Sequence, residues 1–353
     1  MKIAILGDTH LGFKADSSIF LEAYLKFFEE QFFPYLIKNN IKTVVHLGDV
    51  LDRRKFINFN TLYNIRTRFS EKFREYGITV HCVIGNHDCY WKNTNHVNSC
   101  IELFRDFFVV HETPQDIILD GMICGFVPWI SNENQDEVLH YLSTSNADVI
   151  FGHFELSGYE VSRGVRHEGG MSPSLLARFD KVYSGHFHCK QEYGNIHYLG
   201  TPYDMFFSDV VETKGFHILD TDSAKLEFVE NTKKLYRRIL YDDVLDTEGH
   251  GNFNFLKYKE CFLKLVVVSK TNPAKFDMFC DKLFEAGIYD LQIVESLETT
   301  DTNTSDDDSY VSEKELSKNT MELIDGYIDE LKMDGGGNLK SLMRELYTES
   351  LSI

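Results

Sequence analysis

A chain of 353 residues that is 43% apolar can bury a sizeable core, and its length suggests two or three domains. No apolar run reaches the roughly 18 residues of a membrane helix, and the opening MKIAILGDTH reads as a first strand rather than a signal peptide. The net charge of −19 argues against holding DNA chiefly by bulk electrostatics, and seven cysteines without a C-x-x-C pair fit reduced, cytoplasmic thiols.

From the N-terminus, IAIL ends at Gly7-Asp8 and opens the stretch GDTHLGFK. Its two glycines and lysine look almost like a phosphate-cradling loop. That loop needs Lys directly after the second Gly, where Phe13 stands, and Asp8 would repel phosphate. The remaining reading is a metal site that needs partners from elsewhere in the chain. A helical pattern follows, with Phe20, Tyr24, Phe27, Phe28 and Phe32 on one face. TVVHL then runs into Gly48-Asp49. A second helical pattern (Leu62, Ile65, Phe69, Phe73) leads to TVHCVI and Gly85-Asn86. Further on, DVIF precedes Gly152-His153 and KVYS precedes Gly185-His186. This alternation predicts an α/β domain on stacked sheets over residues 1–240, closed by a hairpin at 215–240 that turns at Asp220 to Ser223. Residues 241–296 read as a small α+β cap with a strand-helix-strand order: CFLKLVVVS, PAKFDMFCDKLFEAG and DLQIVES. Residues 297–312 read as an acidic linker. From Glu295 to Asp334 there are 13 acidic and 3 basic residues, so about half the excess negative charge is local. Residues 313–353 carry two amphipathic helical patterns around Gly335 to Gly337 and are read as a docking element for a partner protein.

Five times, a strand runs into a glycine followed at once by a polar, metal-capable residue. One D-x-H is more often a surface acid beside a satisfied histidine, but five such motifs in order behind strands form a specific signal. The candidate ligands are Asp8, His10, Asp49, Asn86, His153, His186 and His188. Carboxylate, imidazole and amide donors suit Mn, Fe or Zn better than a thiolate-loving ion. Seven donors match two ions, with Asp49, alone in its motif, as the bridge. Two ions about 4 Å apart polarise a phosphate, generate hydroxide and steady an in-line displacement. His87 directly follows the ligand Asn86, so it is cast as proton donor or transition-state stabiliser, with Asp88 orienting it. Arg53 and Arg54, beside Lys55, are candidate phosphate contacts, and Arg163 and Arg166, in the loop SRGVRHEGG, candidate substrate-gripping residues; a solvated surface is the equal alternative for each. His46 reads as a satisfied core histidine. Trp91 and Trp129 have faces for base stacking, although Trp129, in an apolar run, reads as core.

The segments GDTHLG, GDVLDRRK, GNHD, GHFE and GHFH resemble the motifs of the calcineurin-like metallophosphoesterase superfamily. With FVPWISNEN and YLGTPYD added, the chain is similar to the SbcD-type DNA repair exonuclease subunits, above all those carried by phages. The resemblance rests on motifs over residues 1 to about 240 and on layout beyond. It implies a calcineurin-like β-sandwich flanked by helices. It implies Asp8, His10, Asp49 and His188 around a first ion, and Asp49, Asn86, His153 and His186 around a second. The ions would be Mn²⁺, with Mg²⁺ as the other candidate, and His87 would act in catalysis. It further implies double-strand exonuclease and single-strand endonuclease activity on DNA in recombination and repair. The expected assembly is a homodimer within a heterotetramer, with an SbcC-type coiled-coil ATPase on the C-terminal helices. The expected location is the cytoplasm, the host's if the chain is phage-encoded. Asp52 stands where some relatives carry a histidine, so that histidine's proton-handling role does not transfer. The alternative is a metallophosphatase acting on phosphoproteins or small phosphoesters. Leu11 after His10, where protein phosphatases usually place Gly, speaks for the nuclease, as do the cap, linker and tail. A non-enzymatic adaptor would predict eroded ligands, and none is eroded.

Overall fold

Alternation along the first strand, β1 (Lys2–Leu6), sets the layers. Ile3 and Ile5 point into a core shared with Val45, Phe126, Phe151 and Tyr183, whereas Ala4 and Leu6 point into another, lined by helices. The computed structural model describes residues 1–162, 164–244 and 253–295, together with Ile328, Gly337, Leu339, Lys340, Leu342 and Met343. After β1 come β2 (Thr43–His46), β3 (Thr79–Val83), a hairpin of β4 (Cys89–Trp91) and β5 (Thr94–Asn98), and β6 (Phe108–His111). Then follow β7 (Gln115–Leu119), β8 (Met122–Val127), β9 (Val149–His153), and the short pair β10 (Glu160–Ser162) and β11 (Val165–Arg166). The remaining strands of this region are β12 (Lys181–Gly185), β13 (Gln191–Tyr193), β14 (Ile196–Tyr198), β15 (Gly215–Asp220) and β16 (Lys225–Glu230).

Two six-stranded sheets result, ordered β16-β15-β1-β2-β3-β6 and β13-β14-β12-β9-β8-β7. Strands β1, β2, β3 and β6 are parallel, as are β8, β9, β12 and β14. Their inner faces make the sandwich core. The outer face of the first sheet packs on a helix that runs Ser18–Phe27, passes a π-helical turn at Phe28–Phe32 and ends with Phe33–Lys38. The second sheet is covered by Gln135–Thr144, which contributes Val138 and Leu142. Central strands buried on both faces explain the consecutive apolar residues Val44-Val45 in β2 and Val149-Ile150-Phe151 in β9. The α/β sandwich flanked by helices therefore stands as expected.

Three further strands, β17 (Tyr236–Asp242), β18 (Phe262–Ser269) and β19 (Asp290–Glu295), form a parallel sheet. The helix Pro273–Glu285 packs Phe276, Phe279 and Leu283 on it, and the Asn272 side chain accepts from Lys275 N at 3.1 Å to cap its start. The hairpin expected over 215–240 divides. β15 and β16 pair around a turn in which Asp220 Oδ1 accepts from Asp222 N and Ser223 N, but Tyr236–Asp242 belongs to the small sheet. The buried Asp204 carboxylate accepts from Leu235 N (3.0 Å) and Tyr236 N (3.4 Å), holding the chain where it crosses over.

The chain divides into two units, Met1–Ser296 and Leu297–Ile353. The linker at 297–312 lies outside the described residues. Of the segment 313–353, expected from sequence to be helical, only Ile328, Gly337, Leu339, Lys340, Leu342 and Met343 are described, all with helical backbone. No helix among the described residues is long and apolar enough to cross a membrane.

Candidate metal centre

Three motifs leave the first sheet, after β1, β2 and β3, and two leave the second, from β9 and β12. Convergence thus needs both sheets, not the edge of one. Two glycines make it possible. A Cβ at Gly85 would stand 2.2 Å from Asp49 Oδ1, and one at Gly185 would stand 2.3 Å from Asp8 Oδ1. Asp49 (φ 50°) and His186 (φ 86°) adopt left-handed backbone, which turns each chain sharply toward the centre. Thr9 N and His10 N both donate to the Asp49 carbonyl (3.1 and 3.0 Å), so the first two motifs are bonded together.

All seven expected ligands meet there. The Nε2 atoms of His10 and His188 stand 3.0 Å apart. Asn86 Oδ1 lies 2.9 Å from both His153 Nε2 and His186 Nδ1. Asp49 Oδ2 sits between these groups, 3.6 Å from His10 Nε2 and 3.4 Å from His153 Nε2. Asp8 Oδ2 accepts from His186 N (2.8 Å) and lies 3.8 Å from His188 Nε2. Donors about 2.1 Å from a shared ion stand roughly 3.0 Å apart along an octahedral edge and roughly 3.4 Å along a tetrahedral one. The 2.9, 3.0 and 3.4 Å spacings match these edges, and the 3.6 and 3.8 Å spacings at His10 and His188 are longer.

Burial supplies an independent test of fit. Asp8 Oδ1 is buried without any hydrogen-bond partner, an expensive state for a carboxylate unless a cation faces it. Burial also pushes the Asp8 carboxyl up to about 7. Burial pushes Asp49 the same way, but the imidazoles of His153, His87 and His10 outweigh it and hold that carboxylate well below its usual range. His153 Nδ1 donates to the Leu47 carbonyl at 2.7 Å, which turns Nε2 toward the centre, where it offers a lone pair to a cation once its proton leaves. The donor set fits divalent cations, and Asp8, His10, His188, Asp49, Asn86, His153 and His186 would hold them.

His87 stands beside this cluster, its ring 4.8 Å from that of His10. Its Nδ1 donates to the Asp52 carbonyl at 2.5 Å, and its backbone N–H donates to Asp49 Oδ1 at 2.7 Å. Asp88 does not orient it. The Asp88 carboxylate instead accepts from Val50 N (3.0 Å), Leu51 N (3.4 Å), Gly85 N (2.9 Å) and Ser99 Oγ (3.1 Å). It braces the two loops that carry Asp49 and Asn86. Asp88→Ala is expected to cost about 3 kcal/mol or more of stability, because three buried N–H groups lose their acceptor. Thermal melting measures this. A variant that melts like the wild type yet fails to turn over would restore a catalytic role for Asp88.

Asp52 had no role in the sequence reading. Besides its carbonyl bond to His87, its Oδ1 lies 3.3 Å from His10 Nδ1. A carboxylate behind a ligand imidazole fixes the ring and raises its basicity. Asp52→Asn should fold normally and weaken metal affinity about 10- to 100-fold, as read by Mn²⁺ titration. Trp129, expected as core, does pack against the main core while half-buried, and its ring also walls the centre, 5.2 Å from His186 and 5.8 Å from His153. Lys214 was also missed. Its buried Nζ donates to the His188 carbonyl at 2.9 Å and pairs with Glu212 and Asp209. Nothing in its local sequence marks it.

His46 is a satisfied core residue, with Nδ1 accepting from Gly48 N and Nε2 beside Thr9 Oγ1. Arg53 is exposed and pairs with Asp16 at 3.4 Å, Arg54 is half-buried, and Arg166 is exposed on β11. Arg163 lies outside the described residues. The stretch after Gly12 is no phosphate loop. Lys14, Ala15 and Asp16 form a left-handed turn (φ 51°, 56° and 62°), not the start of an α-helix.

Residues 1–190 match the family model for calcineurin-like phosphoesterases, and the chain belongs to that family, as an enzyme of phosphoester hydrolysis. More particularly, it is 30% identical over 353 residues to exonuclease subunit 1 of Enterobacteria phage T4, with 99% of each chain covered. Among solved structures, an archaeal phosphodiesterase overlaps 65% of this chain and 100% of its own at 14% identity, with a TM-score of 0.32. A protein of unknown function from Aquifex aeolicus overlaps 44% and 80% at 18% identity, with a TM-score of 0.24. Overlaps that loose bear on neither fold nor function.

Proposed function

We propose that the chain is the nuclease subunit of a DNA-processing complex, hydrolysing phosphodiester bonds at a two-ion centre. The observation that carries the metal reading is Asp49 Oδ2, held between the imidazoles of His10 and His153 at 3.6 and 3.4 Å. DNA as substrate is supported by full-length similarity to a phage exonuclease subunit. Bound divalent ions, Mn²⁺ or else Mg²⁺, would supply Lewis acidity to the phosphate and an acidified water for attack.

The chain's own residues do the rest. Asp49, fixed by His87 N–H, keeps its second oxygen between the two ligand groups. His87, tied through Nδ1 to the Asp52 carbonyl, presents Nε2 as the atom that carries the proton. Burial lowers its pKa, so the protonated ring gives the proton up readily to the departing oxygen. Arg53, Arg54, Arg163 and Arg166 are the proposed backbone contacts. Residues 313–353 are the proposed docking segment for an SbcC-type coiled-coil ATPase. The assembly would contain two copies of each subunit and act in recombination and repair in the cytoplasm, the host's for a phage protein.

The test is cleavage of labelled single- and double-stranded DNA by purified protein with Mn²⁺, Mg²⁺ or chelator, beside p-nitrophenyl phosphate and its bis-ester. Mn²⁺-dependent cutting is expected. Turnover of the monoester with DNA untouched would replace this reading with a phosphatase.

A further inference from the structure

The hairpin β4–β5 departs from the centre at Asp88 itself, and neither the metal site nor its braces account for what it displays. Tyr90 and Trp91 stand 38% and 46% exposed, with their rings 4.7 Å apart. Isolated exposed aromatics are ordinary. These two are not isolated, because Lys55 Nζ lies 5.0 Å from the Tyr90 ring centre and so brings positive charge to the aromatic pair. Trp91 also lines an open surface groove of about 520 Å³, together with Asn93, Thr94, His96, Asn132 and Glu133.

The hairpin is held rigidly against the centre. Ser99 N donates to the Asp88 carbonyl (2.9 Å), Cys89 Sγ to the Gly85 carbonyl (3.3 Å), and Asn95 Nδ2 to the Trp129 carbonyl (2.6 Å). Trp129 itself packs on His186 and His153. A ligand on Trp91 is therefore registered to the metal ligands through three hydrogen bonds and one ring.

The lining selects the ligand. Glu133 repels a phosphate, whereas the amide, hydroxyl and imidazole groups can pair with a base edge and the indole offers a stacking face. Lys55, outside the groove, suits the adjoining backbone phosphate. Resting on the nuclease reading, we propose that Trp91 and its groove hold an unpaired nucleobase of the DNA strand being cut. A base can enter only after leaving its partner, so single-stranded or frayed ends are the favoured substrate at this site.

The chain has two tryptophans, which makes the test direct. Oligothymidylate should quench the fluorescence of chelated protein, and an abasic oligomer of equal length should not. Trp91→Phe should lose the quenching but keep cutting to within about threefold, because phenylalanine still stacks. Trp91→Ala should raise KM for single-stranded DNA about 5- to 150-fold, the loss of one base–aromatic stack, with bis-p-nitrophenyl phosphate hydrolysis unchanged. Equal quenching by abasic and thymidylate oligomers, or a wild-type KM in Trp91→Ala, overturns the proposal while the nuclease reading stands. A wild type that hydrolyses the monoester but cuts no DNA removes both.

Discussion

Asp49→Ala is expected to bind less metal than the wild type and to lose turnover by about 10³-fold or more. One oxygen of Asp49 lies between both ligand groups, and the other accepts from His87 N–H, so a single truncation reaches both metal positions and the catalytic loop. Each 1.4 kcal/mol of lost stabilisation is tenfold in rate, and a shared ligand to two cations is worth several times that. Elemental analysis gives the metal content, and cleavage of DNA and the bis-ester gives the rate. A protein that keeps two ions and normal turnover would remove Asp49 as the bridge. Two neighbours of Asp49, Asp8 and His153, govern how metal acts on stability. Burial raises Asp8 from 3.8 to about 7 in the folded chain, so its contribution without metal is complete near pH 3.8 and is lost as pH rises through about 7. Burial disfavours charged His153, but the Asp49 carboxylate overrides this and lifts it from 6.5 to about 9, so its contribution is likewise lost toward pH 9. Bound cations need Asp8 ionised and His153 neutral, so they gain over that same window. The melting temperatures of Mn²⁺-loaded and chelated wild type should therefore diverge between about pH 5.5 and 8.5. Parallel curves would contradict it.

The candidate metal ligands were legible because each one follows a local rule. A β-strand must end, a glycine allows the sharp exit, and the next residue faces its neighbours across the sandwich. Five repeats of that rule bring Asp8, Asp49, Asn86, His153 and His186 together, and His10 and His188 follow two residues after Asp8 and His186. The strand-helix-strand unit at 261–295 was legible from the apolar run LVVV and from the helical spacing of Phe276, Phe279 and Leu283 that follows it. The partners of these residues were not legible. Asp88 looks like the third member of an Asn-His-Asp run, yet only the fold reveals that its oxygens face the N–H groups of Val50, Leu51 and Gly85. Lys214 reaches the His188 carbonyl from 26 residues away, by a contact that leaves no spacing signature. The strand Tyr236–Asp242 continues the apolar alternation of the preceding hairpin, so pattern alone assigns it to the wrong sheet. The hairpin bearing Trp91 is short and polar, which hides it from any periodicity.

His87→Ser separates catalysis from metal binding, and its expected outcome differs in kind from that of Asp49→Ala. His87 supplies none of the close donor contacts within the His10–His188 pair or the Asn86–His153–His186 group. Its backbone N–H, which holds Asp49, survives the substitution. The variant should therefore keep both ions and bind DNA with unchanged affinity. What it loses is the Nε2 proton that the departing oxygen needs, and the Asp52 carbonyl loses the Nδ1 donor that aimed the ring. General acid catalysis contributes about 10²- to 10⁴-fold, so kcat should fall by that factor with KM little changed. The leaving group sharpens the test. p-Nitrophenolate departs without a proton, whereas the alkoxide of a DNA strand does not, so bis-p-nitrophenyl phosphate hydrolysis should suffer far less than DNA cleavage. Equal losses on the two substrates would assign His87 to stabilising charge on the phosphate rather than to proton donation. Normal DNA cutting would take it out of the mechanism.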